Sequence, residues 1–447
     1  MKNRKKYNGM VRGLKIVLFG GVLAVMTFIG LLWFLRPTIS QVEKRTLTEH
    51  PKLTWSGFWD GSYFSGVDTW YADTFPLRES LISANQSLQE HYGVRSDQLV
   101  GNVAMVADAI PVAGEKTDDE TEAAEATVAP TPTPTATPAD GTVTQKGDIQ
   151  GNIYITQNCG YLMYYFSQSG ADLFADTMNR FYDNVKDMVD VYVVVAPLNS
   201  GIMLDESVQE DMGNSDERES INYIYSQMNE GIHTVNAFDN LRQHNAEYLY
   251  FHTDHHWTAL GAYYAYQTFC QVKGIEPHDY RDYDTIEFPN FMGTLYSSSN
   301  KSAALAANPD TVIAYYPKGT NDMSMTLTSG ATYDWRIVND VSDYPNTEYY
   351  ATFSGGDNPF SYAHNPKITD GSAVVVIKDS FGNCFCPYLV DSYQYVYMVD
   401  YRSIGKVDSR TLAQIVEDYQ IQDVLFLNNI SATREQKLID RIKSFIG

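Results

Sequence analysis

The chain has 447 residues, 44% of them hydrophobic and 13% aromatic, which is enough apolar side chain for a large folded body and not the composition of a disordered protein. Its formal charge is −23; the first fifteen residues contribute +6, so the remainder carries −29. A surface this acidic excludes nucleic acid as a partner, since that needs clustered Lys and Arg, and it favours a neutral or zwitterionic polymer over an anionic one.

Residues 1–15 hold Lys2, Arg4, Lys5, Lys6, Arg12 and Lys15 without an acid, and read as a basic cytoplasmic tail. Residues 16–35 form an uncharged apolar run of bilayer-spanning length. The bulky Trp33-Phe34-Leu35-Arg36-Pro37 that ends it is unlike a cleavage site, so the run reads as an uncleaved transmembrane anchor. Basic residues ahead of it place the N-terminus inside and the bulk of the chain outside, a single-pass cell-membrane protein. Residues 36–111 read as a membrane-proximal segment packing on the main domain. Its helix over 78–92 would share Leu81, Ile82, Leu88 and Tyr92 on one face. Residues 112–147 start acidic and turn to alternating Thr-Pro, a disordered linker that cannot bury enough apolar surface to order itself.

From 148 to 447 the pattern alternates. A hairpin is expected from 152–155 and 161–165 around Cys159-Gly160, then a helix over 171–188 and a buried strand over 191–196 ended by Pro197. A helix over 217–232, a strand over 248–251 and a helix beginning near Trp257 follow. Residues 280–370, richer in Ser, Asn, Tyr and Gly, predict loops and short antiparallel strands lining a groove. Strands over 373–377, 395–399 and 424–427, a helix over 412–419 and a last helix from Thr433 complete the chain. This order predicts an α/β body: a mainly parallel sheet with helices on both faces.

Two stretches carry chemistry. His252-Thr253-Asp254-His255-His256-Trp257 follows the apolar run Tyr248-Leu249-Tyr250-Phe251, at an expected strand-to-helix turn. The Asp254 carboxylate two residues from His256 can fix that ring's tautomer and stabilise its cation. Ala373-Val374-Val375-Val376-Ile377 runs into Lys378-Asp379-Ser380-Phe381-Gly382, which sets a serine just past a buried strand. The two spell a candidate Ser380, His256, Asp254 triad. The Ser380 N–H would be one oxyanion donor, and Asn199, Asn428 and Asn429, each after an apolar run, are candidates for another. His255, Trp257 and Asp379 are candidates for support. His252, Asp254, His255 and His256 also contain ligand types for Zn or Mn, but adjacent histidines rarely converge on one ion, so no metal ligand and no cofactor are assigned.

Asp254-His255-His256-Trp257 resembles the signature of the DHHW proteins. The order Asp-x-His and later Asp-Ser-Phe resembles the alginate O-acetyltransferase (AlgX/AlgJ-like) branch of the SGNH hydrolases. Glu43-Lys44-Arg45, Asp73-Thr74-Phe75-Pro76-Leu77-Arg78, Val193-Val194-Val195-Ala196-Pro197 and Asp400-Tyr401-Arg402 are similar to further landmarks. The serine follows the Asp/His pair, as in that branch, and Lys378 stands where a Gly-Asp-Ser block has glycine. The resemblance implies an SGNH-hydrolase-like fold, acetyl transfer to or from hydroxyls of a cell-surface glycan, and a membrane-embedded acyltransferase as donor partner. The alternative is a non-catalytic protein that keeps the fold to bind polysaccharide or an assembly complex. Some of the 33 tyrosines suit sugar stacking. Cys159, Cys270, Cys384 and Cys386 would lie outside the membrane, where disulfides are permitted.

Overall fold

The structure is a computed structural model that describes residues 36–40, 45–59, 62–76, 107–111 and 141–447. The expected basic tail, the membrane span over 16–35, the helix over 78–92 and most of the linker lie outside those residues. Among the described residues no helix is long and apolar enough to cross a membrane. The chain divides into two compact units, 1–97 and 98–447.

In the first unit β1 (Ile39–Ser40) pairs antiparallel with β2 (Arg45–Thr46), and two helices follow, α1 (Trp55–Trp59) and α2 (Ser62–Asp73). Thr74, just past α2, returns its hydroxyl to Trp70 O at 2.7 Å.

The second unit begins earlier than composition implies. Val143 N donates to Met203 O at 2.8 Å and Asp205 N returns to Val143 O at 3.0 Å. Residues 141–147, assigned to the linker from their polarity, are therefore part of the folded body. So is Asp108, whose carboxylate accepts from Gln168 N at 2.8 Å. Next comes a small antiparallel sheet of β3 (Asp148–Gln150), β4 (Ile153–Thr156) and β5 (Cys159–Leu162). Its second turn falls on Gln157-Asn158 (φ 51° and 60°), not around Cys159-Gly160. Two consecutive positive φ values make the turn whose twist matches the flanking strands, and asparagine tolerates that conformation.

Further along, α3 (Gln168–Val185) starts at Ser167, whose side chain accepts from Gly170 N, and buries Ala171, Phe174, Met178, Phe181 and Val185 at helical spacing. Then come β6 (Asp190–Ala196), α4 (Glu217–Ser226, shorter than expected), β7 (His233–Thr234), α5 (Phe238–Gln243) and α6 (Ala259–Lys273). The segment over 280–370 supplies the antiparallel pair β8 (Thr285–Phe291) and β9 (Asp310–Tyr315), with β10 (Asp322–Thr326), β11 (Thr332–Arg336) and β12 (Phe360–His364). Last are β13 (Ala373–Lys378), α7 (Gly382–Leu389), β14 (Tyr395–Asp400), α8 (Leu412–Asp418), β15 (Asp423–Asn429) and α9 (Gln436–Ile446).

The main sheet has eight strands in the order β11-β10-β12-β14-β13-β15-β6-β7. It is mixed, which corrects the expectation of a mainly parallel sheet. The pairings from β14 through β7 are parallel, while β12, β10 and β11 add to one edge antiparallel. The physical reason is patterning. β13, β15 and β6 bury successive residues pointing to both faces, as strands covered on both sides must, whereas β10 and β12 alternate buried and accessible positions. Residues 248–251 do not join the sheet at all. Tyr250 makes only an isolated bridge to Trp257, so the apolar run is buried loop.

Candidate active site

The turn after β13 is built by Asp379. Its Oδ1 accepts from Phe381 N at 2.9 Å, and its Oδ2 accepts from Asn429 N at 2.8 Å and Asn429 Nδ2 at 2.6 Å. One carboxylate thus shapes the turn and ties it to β15, leaving Ser380 past the carboxyl end of a strand flanked by β14 and β15. Open α/β sheets place their ligands at that end. Lys378, which replaces the expected glycine, is buried and donates to Asn383 Oδ1 at 2.5 Å. The close approach is taken by Gly382 instead, where a Cβ would lie 2.6 Å from the Lys378 side chain.

The motif loop comes from elsewhere in the chain and is held by Asp310 at the start of β9. The buried Asp310 carboxylate accepts from His252 N at 2.7 Å, Thr253 N at 2.8 Å and Thr253 Oγ1 at 2.5 Å, and also from the Tyr248 hydroxyl. Beyond the motif, the Thr258 side chain caps α6 by accepting from Gly261 N at 3.2 Å. Trp257, fully buried, donates from Nε1 to Phe381 O at 3.0 Å and so joins the loop to the serine turn.

This brings three groups into one chain of hydrogen bonds. Ser380 Oγ lies 2.7 Å from His256 Nε2, and His256 Nδ1 lies 2.6 Å from Asp254 Oδ1. Asp254 Oδ1 also accepts from His256 N at 3.0 Å; Oδ2 accepts from Thr294 N at 2.7 Å and Thr294 Oγ1 at 3.0 Å. Gly293 makes this approach possible, since a Cβ there would lie 2.2 Å from the Asp254 Cβ. With four acceptor contacts on the carboxylate, Nδ1 of His256 carries the proton and Nε2 is left as an acceptor for the serine hydroxyl. Burial by itself opposes the Asp254 charge; His256 and His255, with hydrogen bonds from His256 and Thr294, outweigh it and hold its pKa well below the usual carboxylate range.

Around the imidazole the packing is aromatic. The Tyr350 ring stacks on His256 (centroids 4.1 Å apart, planes 11° apart), and its hydroxyl donates to Ser380 O at 2.8 Å. Cys384 Sγ sits 3.2 Å from the same hydroxyl. His255 reaches Thr294 Oγ1 from Nδ1 at 2.5 Å, and its ring lies 3.8 Å from that of His256. Burial and the neighbouring imidazole push its pKa down to about 4, against the pull of Asp254. The Asp400-Tyr401-Arg402 landmark lies near: Arg402 is held by Asp400 at 2.5 Å and by Asp357 at 2.9 Å.

The three asparagines fare differently. Asn199 accepts from Leu162 N at 3.0 Å and donates to Gly160 O at 2.8 Å, so its amide fastens β5. Asn429 donates one amide hydrogen to Asp379 and accepts from Ser431 N at 2.9 Å, which leaves its second amide hydrogen without a partner among the described residues. Asn428 is fully buried with neither amide atom partnered among the described residues, and it makes no hydrogen bond to the triad residues. The Ser380 N–H makes no hydrogen bond among the described residues. Asp254, His255 and His256 offer donor atoms within 4.8 Å of one another, while His252 turns toward Asp310 at 3.2 Å and stands outside that group. All four cysteines are free. Sequence reasoning missed Asp310, Gly293, Thr294 and Tyr350. Each lies far along the chain from the motif it supports, and only Asp310, a lone acid opening an apolar strand, left a local trace.

The family model described as "DHHW protein" matches residues 43–134 and 133–399. The chain belongs to the DHHW family. A solved DHHW family protein from Eubacterium siraeum superposes with a TM-score of 0.58 at 26% identity, covering 65% of this chain and 94% of that one. Bacillus cereus PatB1, solved with a sulfonyl adduct, superposes with a TM-score of 0.53 at 18% identity over 64% of this chain and 98% of that one, a likeness of fold. The O-acetyltransferase domain of Pseudomonas putida AlgJ matches at a TM-score of 0.35 and 11% identity, covering 67% of this chain and 99% of that one. No curated protein matches this DHHW chain significantly in sequence.

Two stability outcomes follow from the site. Asp310→Ala removes the acceptor of two backbone N–H groups, His252 N and Thr253 N, and of the Tyr248 and Thr253 hydroxyls, at about 1–3 kcal/mol for each group that water cannot reach; thermal unfolding is expected to drop by several degrees. For pH, His255 binds its proton at about 4 when folded but at 6.5 when unfolded. Between those values the unfolded chain holds more protons, so its contribution is complete above 6.5 and is lost as pH falls toward 4. The lowered Asp254 pKa acts in the same direction at lower pH. Melting temperatures measured across that range should fall on the acid side, and His255→Gln should flatten the upper part of the decline.

Proposed function

We propose that this DHHW protein transfers acyl groups, acetyl foremost, to or from hydroxyls of a cell-surface polysaccharide, by way of an acyl-Ser380 intermediate. The observation that carries the reading is the continuous hydrogen-bonded chain from Ser380 Oγ through both nitrogens of His256 to Asp254. A neutral imidazole with Nε2 facing a hydroxyl is arranged to accept its proton, and a carboxylate on Nδ1 stabilises the imidazolium that forms.

In this mechanism Ser380 Oγ attacks the acyl carbonyl as His256 Nε2 takes the serine proton. The Ser380 N–H receives the developing oxyanion. Collapse expels the donor's alcohol oxygen, which leaves with the proton held by His256. An acceptor hydroxyl then gives its proton to His256, attacks the acyl-serine and regenerates Ser380. Release to water gives an esterase and release to a sugar gives a transferase; resemblance to the acetyltransferase branch favours the sugar. The same resemblance, with the apolar run at 16–35, supports a chain anchored in the cell membrane that works on the outer side and receives acetyl from a membrane-embedded acyltransferase. The strongly acidic body favours a neutral or zwitterionic acceptor.

A metal-dependent reading has one observation behind it, the grouping of Asp254, His255 and His256. Both readings meet in one assay. The full chain in detergent is given a chromogenic acetyl ester, and the Ser380 peptide is checked for an acetyl adduct by mass spectrometry. Ser380→Ala and His256→Ala should each lower the rate by roughly a thousandfold or more, with chelator leaving the wild type unchanged. Wild type no faster than Ser380→Ala would favour a non-catalytic glycan-binding or assembly protein, and loss of activity to chelator would favour metal. Tyr350→Phe keeps the ring on His256 but removes the hydrogen bond to Ser380 O. It should lower kcat by about tenfold or less, with KM nearly constant, because that bond orients the serine turn rather than the substrate.

A further inference from the structure

The first unit has a small interior and a face with none. Trp70 is buried against the His50 ring (centroids 4.6 Å apart). Yet Trp55 is 80% exposed, Trp59 70%, Leu53 65%, Phe64 54% and Phe58 43%. These side chains do not point in scattered directions. Trp55 meets Trp59 at 5.9 Å, Phe58 meets Trp59 at 5.5 Å, and Phe58 meets Phe64 at 5.4 Å, so the rings form one contiguous exposed aromatic face. Isolated surface aromatics need no explanation; a connected group on a small unit does.

The apolar run of the chain ends beside this face. Arg36 is the residue that follows the apolar run 16–35. Its guanidinium donates to Thr74 Oγ1 at 2.9 Å and sits 4.1 Å from the Trp70 ring centroid and 4.6 Å from that of Tyr71. The point where the chain leaves its apolar run is thereby clamped to the far end of α2, with no spacer between. α2 has twelve residues, about 18 Å at 1.5 Å per residue. Phe64 on its first turn, and α1 just before it, therefore lie within about that distance of the exit point. Trp and other amphipathic rings are the side chains that concentrate at the level of lipid headgroups.

We propose that Trp55, Phe58, Trp59 and Phe64 form a membrane-interface face, seated among the headgroups and upper acyl chains of the phospholipid bilayer that the apolar run crosses. The inference rests on the membrane-anchored reading. The face fixes the first unit flat against the lipid, so the anchor is a two-point attachment and not a flexible tether.

The test uses the full chain reconstituted into phosphatidylcholine vesicles, with and without lipids brominated high on the acyl chains, in a Trp33→Phe background that silences the tryptophan of the run itself. Bromolipid should quench tryptophan emission, and the Trp55→Phe/Trp59→Phe variant should lose most of that quenching while its near-ultraviolet circular dichroism stays native. Phe58→Ser/Phe64→Ser, which keeps both reporters, should move them toward water, seen as weaker bromolipid and stronger acrylamide quenching. Reporters open to acrylamide but not to bromolipid would overturn the proposal. So would reporters shielded from both, which would mean that protein covers the face. Carbonate extraction separates the two ideas: a chain released from the vesicles sinks the anchor and the face together, while a retained chain without bromolipid quenching sinks the face alone.

Discussion

The geometry of the site depends on how one buried carboxylate, Asp310 at the head of β9, holds a loop that lies outside the main sheet. Of the six residues from His252 to Trp257, His252 and His255 are half-buried and the rest buried, yet they have no ladder partner apart from the bridge between Tyr250 and Trp257. Buried backbone N–H groups must be paired, and Asp310 pairs two of them together with the Thr253 hydroxyl. With that end fixed, Trp257 fixes the other by donating to Phe381 O. The imidazole of His256 is then held against a serine 124 residues away.

On the serine side the same logic recurs with Asp379 in the central part. One oxygen shapes the turn and the other locks β13 to β15 through Asn429. The site is thus suspended between two carboxylates that do no chemistry in the proposed mechanism, and a third, Asp254, that does. The difference lies in what they face. Asp310 and Asp379 accept mainly from backbone and neutral side-chain donors, whereas Asp254 faces an imidazole, which it can polarise and whose charge it can balance. Tyr350, stacked on that imidazole and bonded to Ser380 O, closes the remaining side.

The candidate triad residues were legible because each sits in a local pattern with a physical meaning. Asp254 and His256 are two apart at the end of an apolar run, and Ser380 follows a continuous β-branched strand. The helices and parallel strands were legible for the same reason, since burial on one stripe or on both faces writes a period into the sequence. The errors have a common cause too. The run Tyr248 to Phe251 is as apolar as a strand because it is equally buried, but burial does not specify a ladder partner. Asn199 and Asn429 follow apolar runs like any oxyanion donor, and only their actual partners, Gly160 O and Asp379, reveal where one amide hydrogen of each goes. The antiparallel edge of the sheet was foreseen as short strands; their joining to β14 depends on backbone pairing that side-chain pattern does not encode.

By itself, then, the sequence determined which segments are buried, which side chains can move a proton or attack a carbonyl, the strong negative charge of the body, and the apolar run ahead of it. Those are properties of residue type and short-range period. The tertiary structure alone decided that Ser380, His256 and Asp254 meet, and that Asp310, Gly293, Thr294 and Tyr350 hold them there. Such facts depend on contacts between residues tens to more than a hundred positions apart, where the chain's folding path, and no local preference, sets the distance.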